Sequence, residues 1–215
     1  MGIEFEKVSP EEIERRSFEI ITEELNGIEI EEQYAPIIKR VIHTTADFEY
    51  TKNLIFSDQV LEKALEAIKN GACIVTDTQM VKSGINKKVL KKFGGEVFNF
   101  ISDEDVAMAA KEQKTTRASV SMEKAAQLNR PLIFAIGNAP TALIKLHELY
   151  QKNSIRPELV IGVPVGFVNV VQSKELIADS DMPYIIARGR KGGSNVAAAI
   201  CNALLYMLDE TRTGN

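Results

Sequence analysis

The sequence predicts a three-layer α/β/α fold with a mainly parallel, doubly wound central sheet. Short, fully apolar segments such as ACIV (72–75) and LIFAI (132–136) are typical of strands that are buried on both faces of a parallel sheet. Stretches with apolar residues at helical spacing alternate with these segments along the chain. Alternation of strands and helices over this length favours one sheet with a layer of helices on each face.

The first helix is predicted to begin after Ser9 and to end near Leu25. Ser9 can cap its N-terminus, Pro10 fits the first turn, and Glu12 completes a capping box. Asn26-Gly27 then provides a stop signal, because glycine is common just beyond the last helical turn.

The remaining elements follow from the same patterns. A second helix begins near Pro36, and a third begins at Ser57-Asp58 and closes at Asn70-Gly71. Further helices are predicted near residues 86–93, 103–111, 121–129, 139–152, 173–179 and 194–208, and strands at 72–75, 96–101, 132–136, 159–163 and 184–187. The chain contains no internal repeat, low-complexity segment or linker, so we expect a single domain over residues 1–215.

The composition argues against several classes of protein. The 215 residues are 45% hydrophobic and 26% charged, as in an ordinary globular protein, and the net charge is -4. The sequence has no Lys/Arg-rich block, which argues against a nucleic-acid-binding protein. No apolar run approaches the roughly 20 residues that cross a bilayer, and the acidic N-terminus lacks the apolar region of a signal peptide. Cys73 and Cys201 lie in apolar surroundings, as buried free thiols do, so we expect a cytoplasmic protein.

The segment from Arg40 to Asp47 contains His43, one of only two histidines. Histidine is the residue type that titrates near neutrality, so few other side chains could exchange a proton at physiological pH. Arg40 and His43 are three residues apart and would project from the same face of a helix. Such a pair suits an anionic ligand that also exchanges a proton. A solvated arginine beside a structural histidine explains this segment, taken alone, equally well.

Ser17 occupies a position of the first helix where an apolar residue is expected. The inward stripe of that helix is Ile13, Ser17, Ile20/Ile21 and Leu25. Periodicity alone favours a small hydroxyl that allows close packing, and the alternative is that Ser17 faces a pocket.

Four predicted strands end in loops of small or polar residues, at the edge where open α/β sheets bind ligands. Glycine lets the backbone approach a ligand closely, and helix N-termini offer free N–H groups to an anion. The 189–194 loop resembles an anion cradle, yet it matches neither G-x-x-x-x-G-K-[ST] nor G-x-G-x-x-G, which disfavours a nucleotide enzyme. The residues of these loops that we predict to contact a ligand are Thr76, Asp77, Gly137, Asn138, Gly166, Gly189, Gly192, Gly193 and Ser194.

Arg117 stands among small hydroxyl residues that cannot bury its stem. It is therefore either a surface arginine or one that reaches into a pocket.

The second histidine, His147, lies mid-helix and is interpreted as structural. Two distant histidines and two buried cysteines provide no ligand cluster, so no metal site is expected. No Ser–His–Asp or Cys–His arrangement is evident, which disfavours hydrolysis through a covalent intermediate.

Several segments match, in order and over nearly the whole chain, the motifs of one family. The pairing of GNAPTAL (137–143) with GVPVGFV (162–168) is highly specific, and it is accompanied by ERRSF (14–18), Arg40–Asp47, TDxxMV (76–81), Thr116-Arg117 and GRxGGS (189–194). In these segments the chain closely resembles the precorrin-8X methylmutase family.

The resemblance implies an isomerase of cobalamin (vitamin B12) biosynthesis. Members of the family move a methyl group from C-11 to C-12 of the macrocycle and form hydrogenobyrinate or its cobalt form, cobyrinate. This intramolecular shift needs no redox cofactor, nucleophile or catalytic metal, so no cofactor is expected, and any cobalt would arrive in the corrinoid substrate. The segment from His43 to Asp47 resembles the cobalt-dependent branch more than the aerobic one. The family is also homodimeric, with sites close to the subunit interface.

The same resemblance assigns roles to individual residues. His43 matches the catalytic acid/base, which would protonate a ring nitrogen or hydrogen-bond to it. Ser17, Arg40 and Arg117 match positions that contact the substrate, so the resemblance favours the pocket interpretation of Ser17. Positive side chains and helix N-termini would pair with the acetates and propionates of the ring.

Two other classes of function also fit the residues. One is a tetrapyrrole-binding or carrier protein that uses the same pocket without catalysis. The other is an unrelated α/β enzyme that acts on a different anionic metabolite, such as a sugar phosphate.

Overall fold

The computed structural model describes residues 5–209, and a sheet of six strands forms its centre. The strands are β1 (Leu54–Phe56), β2 (Cys73–Thr76), β3 (Val97–Phe98), β4 (Leu132–Ile136), β5 (Leu159–Gly162) and β6 (Tyr184–Ala187). Their order across the sheet is β1-β6-β5-β4-β2-β3, and each neighbouring pair is parallel except β1 with β6. The mainly parallel sheet confirms the predicted fold class.

Eleven α-helices and one short 3-10 helix surround this sheet within residues 5–209. The 3-10 helix is Glu32–Tyr34, and the α-helices are α1 (Ile13–Glu24), α2 (Ala35–Thr45), α3 (Tyr50–Asn53), α4 (Val60–Lys69), α5 (Gln79–Gly84), α6 (Lys87–Lys92), α7 (Glu104–Glu112), α8 (Arg117–Ala125), α9 (Pro140–Gln151), α10 (Val170–Ala178) and α11 (Ser194–Leu208).

The core is divided between the two faces of the sheet. Successive strand residues point to opposite faces, so Ile133 belongs to one apolar cluster and Phe134 to another. Buried residues of α2, α4 and α11 complete the first cluster, and those of α8, α9 and α10 complete the second. Helices therefore cover both faces, which confirms the three-layer arrangement.

The strand predictions fail where strands are short. β2, β4, β5 and β6 lie within one residue of the predicted limits, whereas the strand predicted at 96–101 contains only Val97–Phe98. β1 was missed, because three residues at an antiparallel edge carry too little periodic signal for detection.

Several helix boundaries also differ from prediction. The Ser9 hydroxyl bonds to the Glu12 carboxylate at 2.9 Å and does not cap a helix, and α1 begins at Ile13, three residues later than expected. α8 begins at Arg117, because Thr116 caps it by accepting a bond from the backbone N–H of Ser119. α10 begins three residues before the predicted position, and the short helices α3 and α5 were not predicted.

The topology has one switch point. From β2 the chain moves outward to β3, and it then returns to place β4 on the opposite side of β2. The loops after β2 and β4 consequently diverge, which leaves a crevice beyond the carboxyl ends of these strands. β1 runs antiparallel to β6 with Leu54 opposite Ala187, so the segment that joins α2 to β1 also reaches this edge.

We expect Phe134→Ala to lower the free energy of unfolding by about 3–5 kcal/mol, since it leaves a cavity in the central strand. Phe134 is fully buried, whereas Phe5 is 83% exposed. Phe5→Ala is therefore the matched control and should change stability by no more than about 0.5 kcal/mol. Urea denaturation measures both values. Equal effects of the two substitutions would contradict this assignment of the core.

Candidate active site

A cleft of about 530 Å³ lies at the switch point between β2 and β4. It is lined by the loops that follow these strands and by the start of α8, namely Asp77, Thr78, Gln79, Ile101, Thr116, Arg117, Ala118, Asn138, Ala139, Pro140 and Thr141. Three residues that the sequence predicted as ligand contacts, Asp77, Arg117 and Asn138, thus lie together. Arg117 and Asn138 are exposed at the cleft.

Asp77 lies at the base of this cleft and organises the loop after β4. It is 2% exposed, and its carboxylate accepts backbone N–H bonds from Gly137 at 2.9 Å, Asn138 at 2.8 Å and Ala139 at 2.7 Å. Burial raises the pKa of Asp77, while these three donors oppose that rise by stabilising the charged form. The visible role of Asp77 is to hold the loop, and a contact with substrate stays a prediction.

Thr76 is also buried, at the end of β2. Its hydroxyl bonds to the carbonyls of Thr78 and Phe98, and it accepts a bond from the side-chain amide of Asn99 at 3.1 Å. Thr76 therefore joins the ends of β2 and β3, whereas Thr78 lines the cleft. The hydroxyl of Thr78 lies 2.9 Å from that of Ser194. The sequence interpretation missed Thr78 and Asn99, although Thr78 precedes α5 as a helix cap would.

The loop after β4 packs directly against the N-terminus of α11. A side chain at Gly137 would place its Cβ 2.7 Å from the Cα of Ser194, so only glycine fits there. Gly193 precedes Ser194, and its N–H donates to the carbonyl of Val163 at 2.9 Å. The loops after β4, β5 and β6 are thereby in contact with one another.

The 189–193 loop is held from both sides. A Cβ at Gly192 would lie 2.1 Å from the carbonyl oxygen of Val163, and the N–H of Gly166 donates to the carbonyl of Arg190 at 3.2 Å. Beneath the loop, the buried ammonium of Lys174 donates to the carbonyls of Gly189 and Lys191. The sequence interpretation missed Lys174, although its place on the inward stripe of α10 is a detectable signal.

Arg40 and His43 project from the same side of α2, as predicted, and Phe18 of α1 contacts both. The Phe18 ring stacks on His43 with ring centroids 5.3 Å apart, and the Arg40 guanidinium lies 4.8 Å from the same ring. Arg40 also lies over the ring of Tyr206 at 4.9 Å, and it pairs with Glu14 at 2.5 Å. His43 is exposed, whereas only 19% of the Arg40 side chain is exposed.

Ser17 lies on the neighbouring part of α1 and is partly exposed. Its hydroxyl donates to the carbonyl of Ile13 at 2.8 Å, a bond within its own helix. Ile13, which was predicted to point inward, is 55% exposed, whereas Ile21 and Leu25 of the same stripe are buried as predicted. The predicted inward stripe is therefore wrong at its first position, because α1 covers the core only with its second half.

Ion pairs connect the end of α2 to the glycine loop. Lys191 bonds to Asp47 at 2.6 Å and to Glu49 at 3.0 Å. A side-chain hydrogen bond from Lys191 is the main reason that the pKa of Asp47 is lowered. The segment after His43 is thus attached to the sheet edge that carries the cleft.

Other features of the described chain bear on the predicted classes. Within residues 5–209, no three His, Cys, Asp or Glu side chains cluster as metal ligands would. None of the helices in that range combines the length and hydropathy of a bilayer-spanning segment. Cys73 and Cys201 are buried free thiols, as predicted, and burial raises the pKa of Cys201 to about 12.

Comparison with known proteins places the chain in a family. The family profile described as Precorrin-8X methylmutase matches residues 12–207. The Cobalt-precorrin-8 methylmutase of Priestia megaterium is 46% identical over 202 residues, which cover 94% of this chain and 90% of that protein. The protein of the same name from Salmonella typhimurium is 46% identical over 207 residues, which cover 94% of this chain and 97% of that protein.

A solved structure has the same fold. The precorrin-8x methyl mutase from Thermus thermophilus superposes with a TM-score of 0.83 at 36% identity, and the match covers 91% of this chain and 96% of that one. Together with the profile match over nearly all of the chain, this similarity shows that the chain belongs to the precorrin-8X methylmutase family.

Proposed function

We propose that this chain is an isomerase of cobalamin biosynthesis that moves a methyl group from C-11 to C-12 of precorrin-8 or its cobalt form. The match to the family profile over residues 12–207 is the observation that carries this proposal. An intramolecular shift requires a protein to bind the macrocycle, orient it and adjust its protonation. The exposed His43 beside Arg40 offers the proton-exchanging group, and the cleft at the switch point offers concave surface.

The proposed substrate is the cobalt form, cobalt-precorrin-8, with cobyrinate as the product. Both curated relatives described above are named for cobalt-precorrin-8. The segment from His43 to Asp47 points the same way through its resemblance to the cobalt-dependent branch. The cobalt would enter and leave with the substrate, so the proposal assigns no cofactor and no metal ligand to the protein.

His43 is the proposed acid/base. One face of its imidazole lies on Phe18, which restricts the ring to orientations that keep this stack. The ring otherwise remains exposed, so it can reach a nitrogen of the bound macrocycle. Protonation of that nitrogen, or a hydrogen bond to it, would withdraw electrons from the ring and favour methyl migration.

The cationic side chains are proposed to bind the carboxylates of the substrate. Arg117 is exposed at the cleft, while Arg40 is paired with the exposed Glu14. The carboxylate of Glu14 is 47% exposed, so water competes for it and the pair is weaker than a fully buried one. A carboxylate of the substrate can therefore replace Glu14 at Arg40 at little cost.

The proposal includes a cytoplasmic homodimer. Large apolar side chains are exposed in the segments that follow β2 and β5, and they include Met80, Phe167 and Val168, which are 69%, 80% and 80% exposed. Ile13 at the start of α1 is also exposed. Large exposed apolar side chains are typical of surfaces that a partner or a large ligand covers.

His43→Ala should fold normally and lose about 100- to 10,000-fold in turnover, the usual contribution of a general acid or base. Product binding should be retained, since the macrocycle has many other contacts. His147→Ala is the matched control, because His147 lies on α9 and contacts Gln151. Conversion is followed by the absorption spectrum of the corrinoid. Unchanged turnover with intact binding would instead indicate a carrier protein.

Arg117→Ala and Arg40→Ala should each weaken product binding by about 10- to 100-fold, through loss of a charge-assisted hydrogen bond. Arg156→Ala serves as the control, since Arg156 lies beyond the end of α9 and contacts Asn153 and Tyr150. Equilibrium titration with product measures the affinities. Native affinity in both variants would place the substrate elsewhere.

Ser17→Leu should abolish product binding, because the larger side chain would fill space that the macrocycle needs. The melting temperature should change by only a few degrees, because Ser17 lies at a partly exposed position. Ser17→Ala is the control: it removes the bond to Ile13 without adding volume, so binding should persist. A packing role for Ser17 predicts the reverse result for the leucine variant, with a loss of about 1–3 kcal/mol in stability and normal affinity in the folded fraction.

A further inference from the structure

Lys174 is a buried cation without a carboxylate partner among residues 5–209. Its side chain is 0% exposed, and its ammonium donates to the carbonyl oxygens of Gly189 and Lys191 at 2.8 Å each. None of the ion pairs formed by the described residues includes it. Burial lowers its pKa to about 8, and the charge of Glu175 on the same helix opposes this shift.

An unpaired buried charge is costly, and the fold alone does not require it. Two carbonyl oxygens could be satisfied by a neutral donor such as a glutamine amide. A buried ammonium loses its hydration, and among residues 5–209 no ion pair compensates for that loss. A lysine at this position therefore suggests that its charge serves an anion that binds nearby.

The two bonds of Lys174 also set the direction of neighbouring N–H groups. In a trans peptide the N–H points away from the carbonyl of the same peptide unit, and the described chain has no cis peptides. The carbonyls of Gly189 and Lys191 point toward Lys174, so the N–H groups of Arg190 and Gly192 point away from it. Neither of these N–H groups donates to a backbone acceptor in residues 5–209.

We propose that Lys174 is a positioning residue that holds the 189–192 loop as a binding site for one carboxylate of the substrate. The N–H groups of Arg190 and Gly192 would donate to this carboxylate, and the charge of Lys174 would stabilise it from below the loop. Lys174 itself touches no substrate. This inference rests on the proposed function, because a polycarboxylate macrocycle is the ligand that supplies the anion.

The test compares two corrinoids that differ in charge. Cobyrinate carries free carboxylates, whereas its fully amidated form has the same ring without them. Each corrinoid is titrated into wild-type protein, Lys174→Met and Lys174→Gln. The ratio of the two dissociation constants gives the preference of each protein for carboxylate over amide. Methionine keeps the length of the lysine without charge or donors, and glutamine keeps a donor without charge. Lys145→Met is the control, since Lys145 on α9 pairs with Glu123 and Glu148.

In Lys174→Met we expect the dissociation constant for cobyrinate to rise about 10-fold or more and that for the amidated form to change less than about 2-fold. In Lys174→Gln the preference for cobyrinate over the amidated form should fall by at least about 3-fold, because glutamine lacks the charge. KM should rise in both variants while kcat stays within about 3-fold, because His43 lies on a different element. Lys145→Met should match wild-type protein.

Three outcomes would overturn the inference. A native preference in both Lys174 variants would show that the charge does not act on the ligand. Equal weakening of both corrinoids would show that Lys174 merely supports the structure of the loop, and the glutamine variant tests this even if the methionine variant fails to fold. Failure of wild-type protein to bind either corrinoid would instead refute the proposed function itself.

Discussion

The arrangement of the candidate site depends on one buried carboxylate, that of Asp77. It joins two chain segments that the topology sends apart, because it follows β2 while its three backbone donors, Gly137 to Ala139, follow β4. These donors lie at the N-terminus of α9, where the helix dipole also favours a negative charge. Three N–H groups and the dipole offset much of the cost of burying the carboxylate, so the loop is fixed before any ligand arrives.

Close packing extends this constraint to the next loops. Since Asp77 fixes Gly137, and Gly137 has no side chain, the N-terminus of α11 can pack directly against it. The position of Ser194 then determines where Gly193 and Gly192 lie relative to Val163. A substitution at Asp77 would therefore also displace loops that Asp77 does not contact, because the tightly packed backbone between them has no room to adjust.

The fold was largely predictable because the buried strands have a distinct composition. LIFAI and YIIA are apolar at every position, and no pattern other than a two-sided sheet explains several such segments between helices. The sequence could not reveal β1 or the two-residue extent of β3, since strands this short are defined by their partners and not by periodicity. The start of α8 was missed for a different reason. Thr116 carried the capping signal, but Arg117 was interpreted as a surface arginine or as one that reaches into a pocket, and not as the first residue of a helix.

The sequence predicted that some candidate side chains share one face of a helix, but it did not predict which other side chains contact them. Spacing was sufficient to place Arg40 and His43 on one face of a helix. It gave no indication that Phe18, which is distant in sequence, would contact both, or that Glu14 would neutralise Arg40. The same holds for Lys174, whose two acceptors lie 15 and 17 residues away along the chain. Side-chain contacts between separate elements depend on tertiary packing, which a local pattern does not encode.

The positive charges near the candidate site differ in how readily they can exchange partners. Arg40 and Lys191 pair with Glu14, Asp47 and Glu49, and these carboxylates are at least partly exposed. Such pairs are worth little in water, so a ligand carboxylate can replace the resident one without much loss. Lys174 has no such pair to exchange among residues 5–209, because its ammonium donates to two backbone carbonyls. Under the proposed function, Arg40 and Lys191 would exchange these carboxylates for those of the substrate, while the buried Lys174 would hold the 189–192 loop in place through its two backbone acceptors.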